Sequence, residues 1–158
     1  MAEEKEEKIR CFIAIDLPRE AINYIRELQK QIEKKNLFTG KFTETENLHL
    51  TLKFLGEIDK EKVEEVKKKL RELKMQSFEA ELGEVGIFSK RFIKIIWIKL
   101  ENTEKLQKEI DEKLKEIFEL EERFMSHITI ARVKSVKDKK ALIDYVKNIK
   151  TQKIRFKV

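Results

Sequence analysis

The chain holds only two histidines, and each is followed two residues later by threonine: His49-Leu50-Thr51-Leu52 and His127-Ile128-Thr129-Ile130. Both copies sit in strand-like runs, residues 48–55 and 126–133. Side chains alternate along a strand, so His and Thr share one face while their apolar partners face a core. One His-x-Thr on a strand is more often structural than functional. Two copies that use every histidine of the protein, 78 residues apart, point to shared work. Imidazole titrates near pH ~6.5, so one ring can be neutral and the other protonated at neutral pH. Displacement at phosphorus runs in line, with attacking and leaving oxygens on opposite sides. Two imidazoles on opposing walls suit that path: one removes a proton from the attacking oxygen and the other protonates the leaving oxygen. Thr51 and Thr129 then stand beside them as donors to non-bridging phosphate oxygens.

Other chemistries fit less well. Zinc takes three or four His, Cys or carboxylate ligands, and no carboxylate stands at ligand spacing from either histidine, so no metal and no other cofactor are expected. Ser126 neighbours His127 on a strand and therefore faces away from it, and no Gly-x-Ser-x-Gly elbow occurs. Arg132 has the planar fork that suits phosphate. Regular alternation puts it on the face opposite His127 and Thr129; a bulge or the strand end could turn it into the cleft, and without one it is a surface arginine. In the first copy Phe54 and Leu55 stand at the corresponding fifth and sixth positions after His49.

The elements that must carry these groups repeat. The apolar run 10–15 reads as a central strand, and Pro18 opens a helix on which Ile22, Ile25, Leu28 and Ile32 recur to about Lys35. Residues 36–40 read as a turn, and 42–47 lead into the first His-Thr strand. Asp59 caps a helix with Val63, Val66, Leu70 and Leu73 on one face. Residues 78–87 read as one or two strands bent or bulged at Gly83 and Gly86. Then come strand 93–100, helix 103–118, the second His-Thr strand, helix 138–149 and strand 152–158. Strand, helix, His-Thr strand, helix, strand thus occurs twice, an internal duplication with an approximate two-fold axis. The expected fold is α+β, a single bilobal domain (lobes about 10–87 and 88–158, with strands free to exchange) in which two antiparallel sheets flank a cleft.

Composition bounds the rest. A chain of 158 residues buries roughly 70% of its unfolded surface. No apolar run approaches the ~20 residues of a membrane span, and residues 1–10 lack a signal-peptide core. The single Cys11 excludes an internal disulfide and suits a reducing cytoplasm. Lys and Glu dominate the 42% charged residues, as in heat-adapted proteins. The net charge of +6 is uneven: residues 132–158 carry ten Lys/Arg against two acids, while 1–131 carry 26 basic and 28 acidic residues. That basic surface, starting just after the second His-Thr pair, suits a polyanion.

These stretches resemble the two-histidine phosphoesterase superfamily, in particular the RNA 2′,3′-cyclic phosphodiesterases, also called 2′-5′ RNA ligases. The likeness runs through residues 10–18, 46–56, 85–88, 95–98 and 124–133, that is RCFIAIDLP, ENLHLTLKFLG, VGIF, IIWI and FMSHITIARV. It implies a bilobal fold with a central cleft and metal-independent hydrolysis of 2′,3′-cyclic phosphate RNA ends to 2′-phosphate. In some members it implies joining of such ends to a 5′-hydroxyl. His49 and His127 fall on catalytic positions, Thr51 and Thr129 beside them, and Arg132 on a phosphate-binding arginine. The expected partner is RNA with cyclic-phosphate ends, such as tRNA fragments, met by a monomer; a non-catalytic RNA-end binder is the rival reading. Phe42, Phe88 and Phe124 flank the cleft strands and offer faces for stacking a base. Ser126 and Ser89 stand where the family usually has proline, and family chains usually continue into a short tail past the last strand.

Overall fold

The computed structural model describes residues 7–89 and 91–158. Eleven principal elements follow one another: β1 (Ile9–Asp16), α1 (Arg19–Lys35), β2 (Phe38–Phe42), β3 (His49–Ile58), α2 (Lys60–Arg71), β4 (Glu79–Ile87), β5 (Ile95–Glu101), α3 (Glu104–Lys113), β6 (His127–Val136), α4 (Lys139–Lys147) and β7 (Ile154–Lys157). The architecture is α+β with two antiparallel sheets. One pairs β1 with β3, and the other has the order β2-β6-β5-β4-β7.

The duplication is visible in the His-Thr strands. β3 and β6 are each ten residues long, each begins at its histidine, and their burial patterns match over the first nine positions. Each is followed by a helix capped by aspartate: Asp59 accepts from the Lys62 N–H at 2.8 Å and Asp138 from the Ala141 N–H at 3.0 Å. Such a cap satisfies one orphan donor of the first helical turn and is worth about 1 kcal/mol.

Inward-facing Leu50, Leu52, Ile128 and Ile130 join Ile96, Ile98 and Leu100 of β5 in one core, covered by Ile25 and Ile32 of α1, Leu114 after α3 and Leu142 of α4. Each such side chain contributes roughly 1.5–3 kcal/mol when buried. The outward faces of β3 and β6 are thereby left for chemistry.

Three expectations need correction. Residues 38–42 form strand β2 rather than finishing a turn; its alternation is masked because three of its five residues, Thr39, Gly40 and Lys41, are exposed. Gly40 is required there, since a Cβ would come within 2.1 Å of the Arg132 carbonyl oxygen on β6. β1 is not a central strand but pairs with β3 alone, and its Phe12 is 47% exposed. Helix α3 ends at Lys113, and residues 114–117 continue as turns. The bend expected around Gly83 is a single-residue register shift of β4 against β5 between Leu82 and Val85.

Candidate active site

β3 and β6 approach one another, and between them lies a cleft of about 450 Å³. Phe12, His49, Thr51 and Phe54 line it from the β1–β3 sheet. His127, Thr129 and Arg132 line it from β6, and Lys41, Phe42, Thr43, Glu44 and Asn47 from β2 and the turn after it. Both His-Thr pairs therefore open into the same space.

Arg132 reaches that space through a β-bulge. Opposite β5, Trp97 pairs with Thr129 and Ile96 with Ala131, so Ile130 is an extra residue. Ile130 and Ala131 are both fully buried, and the alternation resumes one step out of phase. Arg132, five residues after His127, thereby lands on the face of His127 and Thr129. The first copy repeats the device. Ala14 pairs with Thr51 and Ile13 with Lys53, so Leu52 is extra, Leu52 and Lys53 are both buried, and Phe54 turns outward into the cleft, 69% exposed. The two walls thus present different groups at equivalent places, a guanidinium on one and a phenyl ring on the other.

The β6 bulge is held by a buried amide. The Ile130 carbonyl accepts from the Thr43 N–H and from Gln29 Nε2, each at 3.0 Å, and Gln29 Nε2 also donates to the Thr43 carbonyl at 2.9 Å. Thr43 Oγ1 donates to the Thr129 carbonyl at 2.9 Å. Helix α1, through Gln29, therefore fixes the backbone that aims Arg132.

Each imidazole has its own support. His127 Nδ1 lies 2.8 Å from the Met125 carbonyl. A carbonyl only accepts, so Nδ1 is the ring nitrogen that carries the hydrogen of this bond. Phe88 meets the His127 ring edge-on at 4.7 Å and lies 5.4 Å from Trp97. A Cβ on Gly86 would come within 2.6 Å of the Trp97 ring, so glycine leaves room for this stack. His49 is stacked nearly parallel on Phe12, with centroids 4.9 Å apart. At the rim, the Lys41 ammonium hydrogen-bonds the Glu44 carboxylate and holds its pKa below the ordinary value. Lys41 is partly compensated as a result, and Arg132 is the cation of the described lining that has no acidic partner in contact.

The aromatic candidates divide. Phe42 lines the cleft and packs on Phe38, and Phe88 packs on His127. Phe124 is corrected: it lines a separate depression with Gln107, Asp111 and Leu120, because residues 119–126 run along α3 before β6 begins. Phe12, Phe54, Gln29, Lys41 and Thr43 belong to the site and were not read from the sequence. Phe12 stands in the apolar run 10–15, which reads as a central strand, and Phe54 is exposed only through a bulge whose place periodicity does not reveal. Another depression, of about 510 Å³, lies on β4 and β5 among Glu79, Glu81, Lys99, Glu101 and Arg155; it contains ion-paired charges and no imidazole. Among the described residues no group of three or more His, Cys, Asp or Glu is placed to hold a metal, and no helix is long and apolar enough to cross a membrane.

The family model for LigT-like phosphoesterases matches residues 15–97 and 99–158. A protein of Methanocaldococcus jannaschii named RNA 2′,3′-cyclic phosphodiesterase is 38% identical over 146 residues, covering 90% of this chain and 82% of its own. One of the same name from Thermotoga maritima is 36% identical over 138 residues, covering 83% and 73%. Among solved structures, TT0787 of Thermus thermophilus superposes with a TM-score of 0.73 at 22% identity, over 95% of this chain and 84% of that one, which extends the likeness to the fold.

Proposed function

Because the chain belongs to the LigT-like phosphoesterase family, we propose that it is an RNA 2′,3′-cyclic phosphodiesterase that works by paired histidines. The observation that carries the reading is the convergence of His49, Thr51, His127, Thr129 and Arg132 on one cleft from two equivalent strands. A cyclic phosphate end enters with its phosphorus between the two rings. One imidazole takes a proton from water as the water oxygen bonds to phosphorus. The P–O3′ bond breaks, and the other imidazole gives its proton to O3′, leaving a 2′-phosphate and a 3′-hydroxyl. At His127 the transfer runs through Nε2, since Nδ1 stays bonded to Met125. Thr51, Thr129 and Arg132 bind the non-bridging oxygens, where negative charge concentrates. No step in this sequence calls for a metal.

The substrate is an RNA end, with tRNA fragments as one source, and the chain acts as a monomer. The exposed Lys134, Lys139 and Lys140, beyond Arg132 in sequence, support a polyanionic substrate. Phe42 and Phe54 face the cleft from opposite sides of the phosphate site and offer stacking surfaces for the terminal base. The test is incubation of an RNA ending in 2′,3′-cyclic phosphate, with and without a 5′-hydroxyl RNA. A 2′-phosphate product is expected. Binding without turnover would overturn the reading in favour of an RNA-end binder, and a joined product would mark ligase activity at the same site.

A further inference from the structure

Lys53 stands four residues after His49, in the β3 bulge, and is 4% exposed. Its ammonium donates to Asp111 Oδ1 on α3 and, at 2.8 Å, to the Glu119 carbonyl. The second Asp111 oxygen accepts the Glu121 N–H at 2.7 Å, and Asp111 is itself buried. Burying an ion pair costs desolvation that the mutual attraction only offsets, so apolar groups of similar volume usually serve stability as well. This protein supplies its own comparison. The residue four after His127 is Ala131, wholly buried in the matching bulge of β6. That bulge forms without a buried charge, so Lys53 is not needed to make one.

What Lys53 adds is a connection between the walls. Helix α3 holds both ends of the segment that delivers His127. At its start, Thr103 Oγ1 is hydrogen-bonded to Ser126 Oγ, which also donates to the Leu100 carbonyl. Two turns later, Asp111 holds the Glu121 N–H. The residue after Ser126 is His127. Lys53 bolts the His49 wall onto this same helix.

We infer that the Lys53–Asp111 pair is a positioning device for the two-histidine reaction. It fixes β3 to the helix that seats His127 and so sets the mutual aim of the imidazoles. The inference rests on the phosphodiesterase reading of the cleft. Its geometric content, a fixed relation between two rings, can be measured without turnover.

The variant is Lys53→Met with Asp111→Leu, which replaces the pair by apolar side chains of similar size. Lys53→Met alone strands a buried carboxylate and is the less informative change. The double variant is expected to keep its thermal midpoint within a few degrees of the parent. Its kcat on a 2′,3′-cyclic nucleotide falls about tenfold or more with little change in KM, the signature of misplaced groups in a site that still binds. The chain's two histidines give two Cε1–H resonances. In the parent, inorganic phosphate moves both along one binding curve; in the double variant they no longer respond together. Parental kcat with a joint phosphate response overturns the inference. So does unfolding of the double variant, since the pair would then be serving stability. If the parent hydrolyses no cyclic phosphate, the proposed activity fails, while the phosphate titration still decides whether the pair aligns the rings.

Discussion

Replacing Arg132 by alanine tests whether the one-residue phase shift in β6, which turns this side chain onto the face of His127 and Thr129, matters to the reaction. Without the shift, Arg132 would point away from His127 and Thr129, and its loss would matter no more than that of any surface arginine, within about 0.5 kcal/mol. With the shift, it lines the cleft beside both groups. A hydrogen bond to a charged partner is worth about 1.5–3 kcal/mol. Arg132 remains exposed to solvent, which places it at the lower end, about 1.5–2 kcal/mol. That corresponds to roughly 10–30-fold in kcat/KM. Lysine keeps the charge without the two-pronged fork, so Arg132→Lys should lose roughly three- to tenfold. The assay is initial-rate hydrolysis of a 2′,3′-cyclic nucleotide, with inorganic phosphate as competitor. Weakened phosphate inhibition should accompany the loss, since the arginine acts on the anion and not on the base. A second change sharpens the test. Gln29→Leu leaves Arg132 in the chain and removes one of the two donors on the Ile130 carbonyl. It should give a smaller loss of the same kind. Arg132→Ala at parental kcat/KM and parental phosphate inhibition would refute that role.

Three further outcomes follow. His49→Ala and His127→Ala should each lower kcat on a cyclic phosphate by about 10²-fold or more, with circular dichroism unchanged, because both side chains face the cleft and neither belongs to the buried core; a variant within a few-fold of the parent ends the paired mechanism. EDTA should leave the rate unchanged, and a loss restored by a divalent cation would require a metal in the reaction. Ser126→Ala removes the hydroxyl shared by Thr103 and the Leu100 carbonyl, costing about 1–2 kcal/mol and lowering the thermal midpoint by roughly 2–8 °C; an unchanged midpoint would show that the buried hydroxyls contribute nothing to seating β6.

The sequence showed the parts of this site that depend on local pattern. Strand alternation put His49 with Thr51 and His127 with Thr129, and the three-and-four spacing of apolar residues placed α1, α2 and α4 with their inward faces. The rest depends on contacts far apart in the chain. β2 was hidden because a five-residue strand with three exposed members carries no period-two signal, and its pairing to β6 spans some ninety residues. α3 was drawn too long because Leu114 and Ile117 continue its apolar spacing although the backbone turns after Lys113. Where the two strands bulge, and whether a bulge or the strand end turns Arg132, is not legible for a deeper reason. Periodicity assumes constant phase, and a bulge is a phase error that leaves no mark in composition. The buried-position pattern of β6 reads Ile128, Ile130, Ala131, and that of β3 reads Leu50, Leu52, Lys53. In each, two adjacent inward residues are the trace of the shift. Ala131 reads as inward from its type alone; Lys53 does not, and its burial rests on Asp111 and the Glu119 carbonyl beneath it. Arg132 and Phe54 therefore gain their places from the same irregularity. An identical pair of bulges in two duplicated strands makes the cleft asymmetric, with the Arg132 guanidinium on one wall and the Phe54 ring on the other, while His49 and His127 keep equivalent places at the starts of their strands.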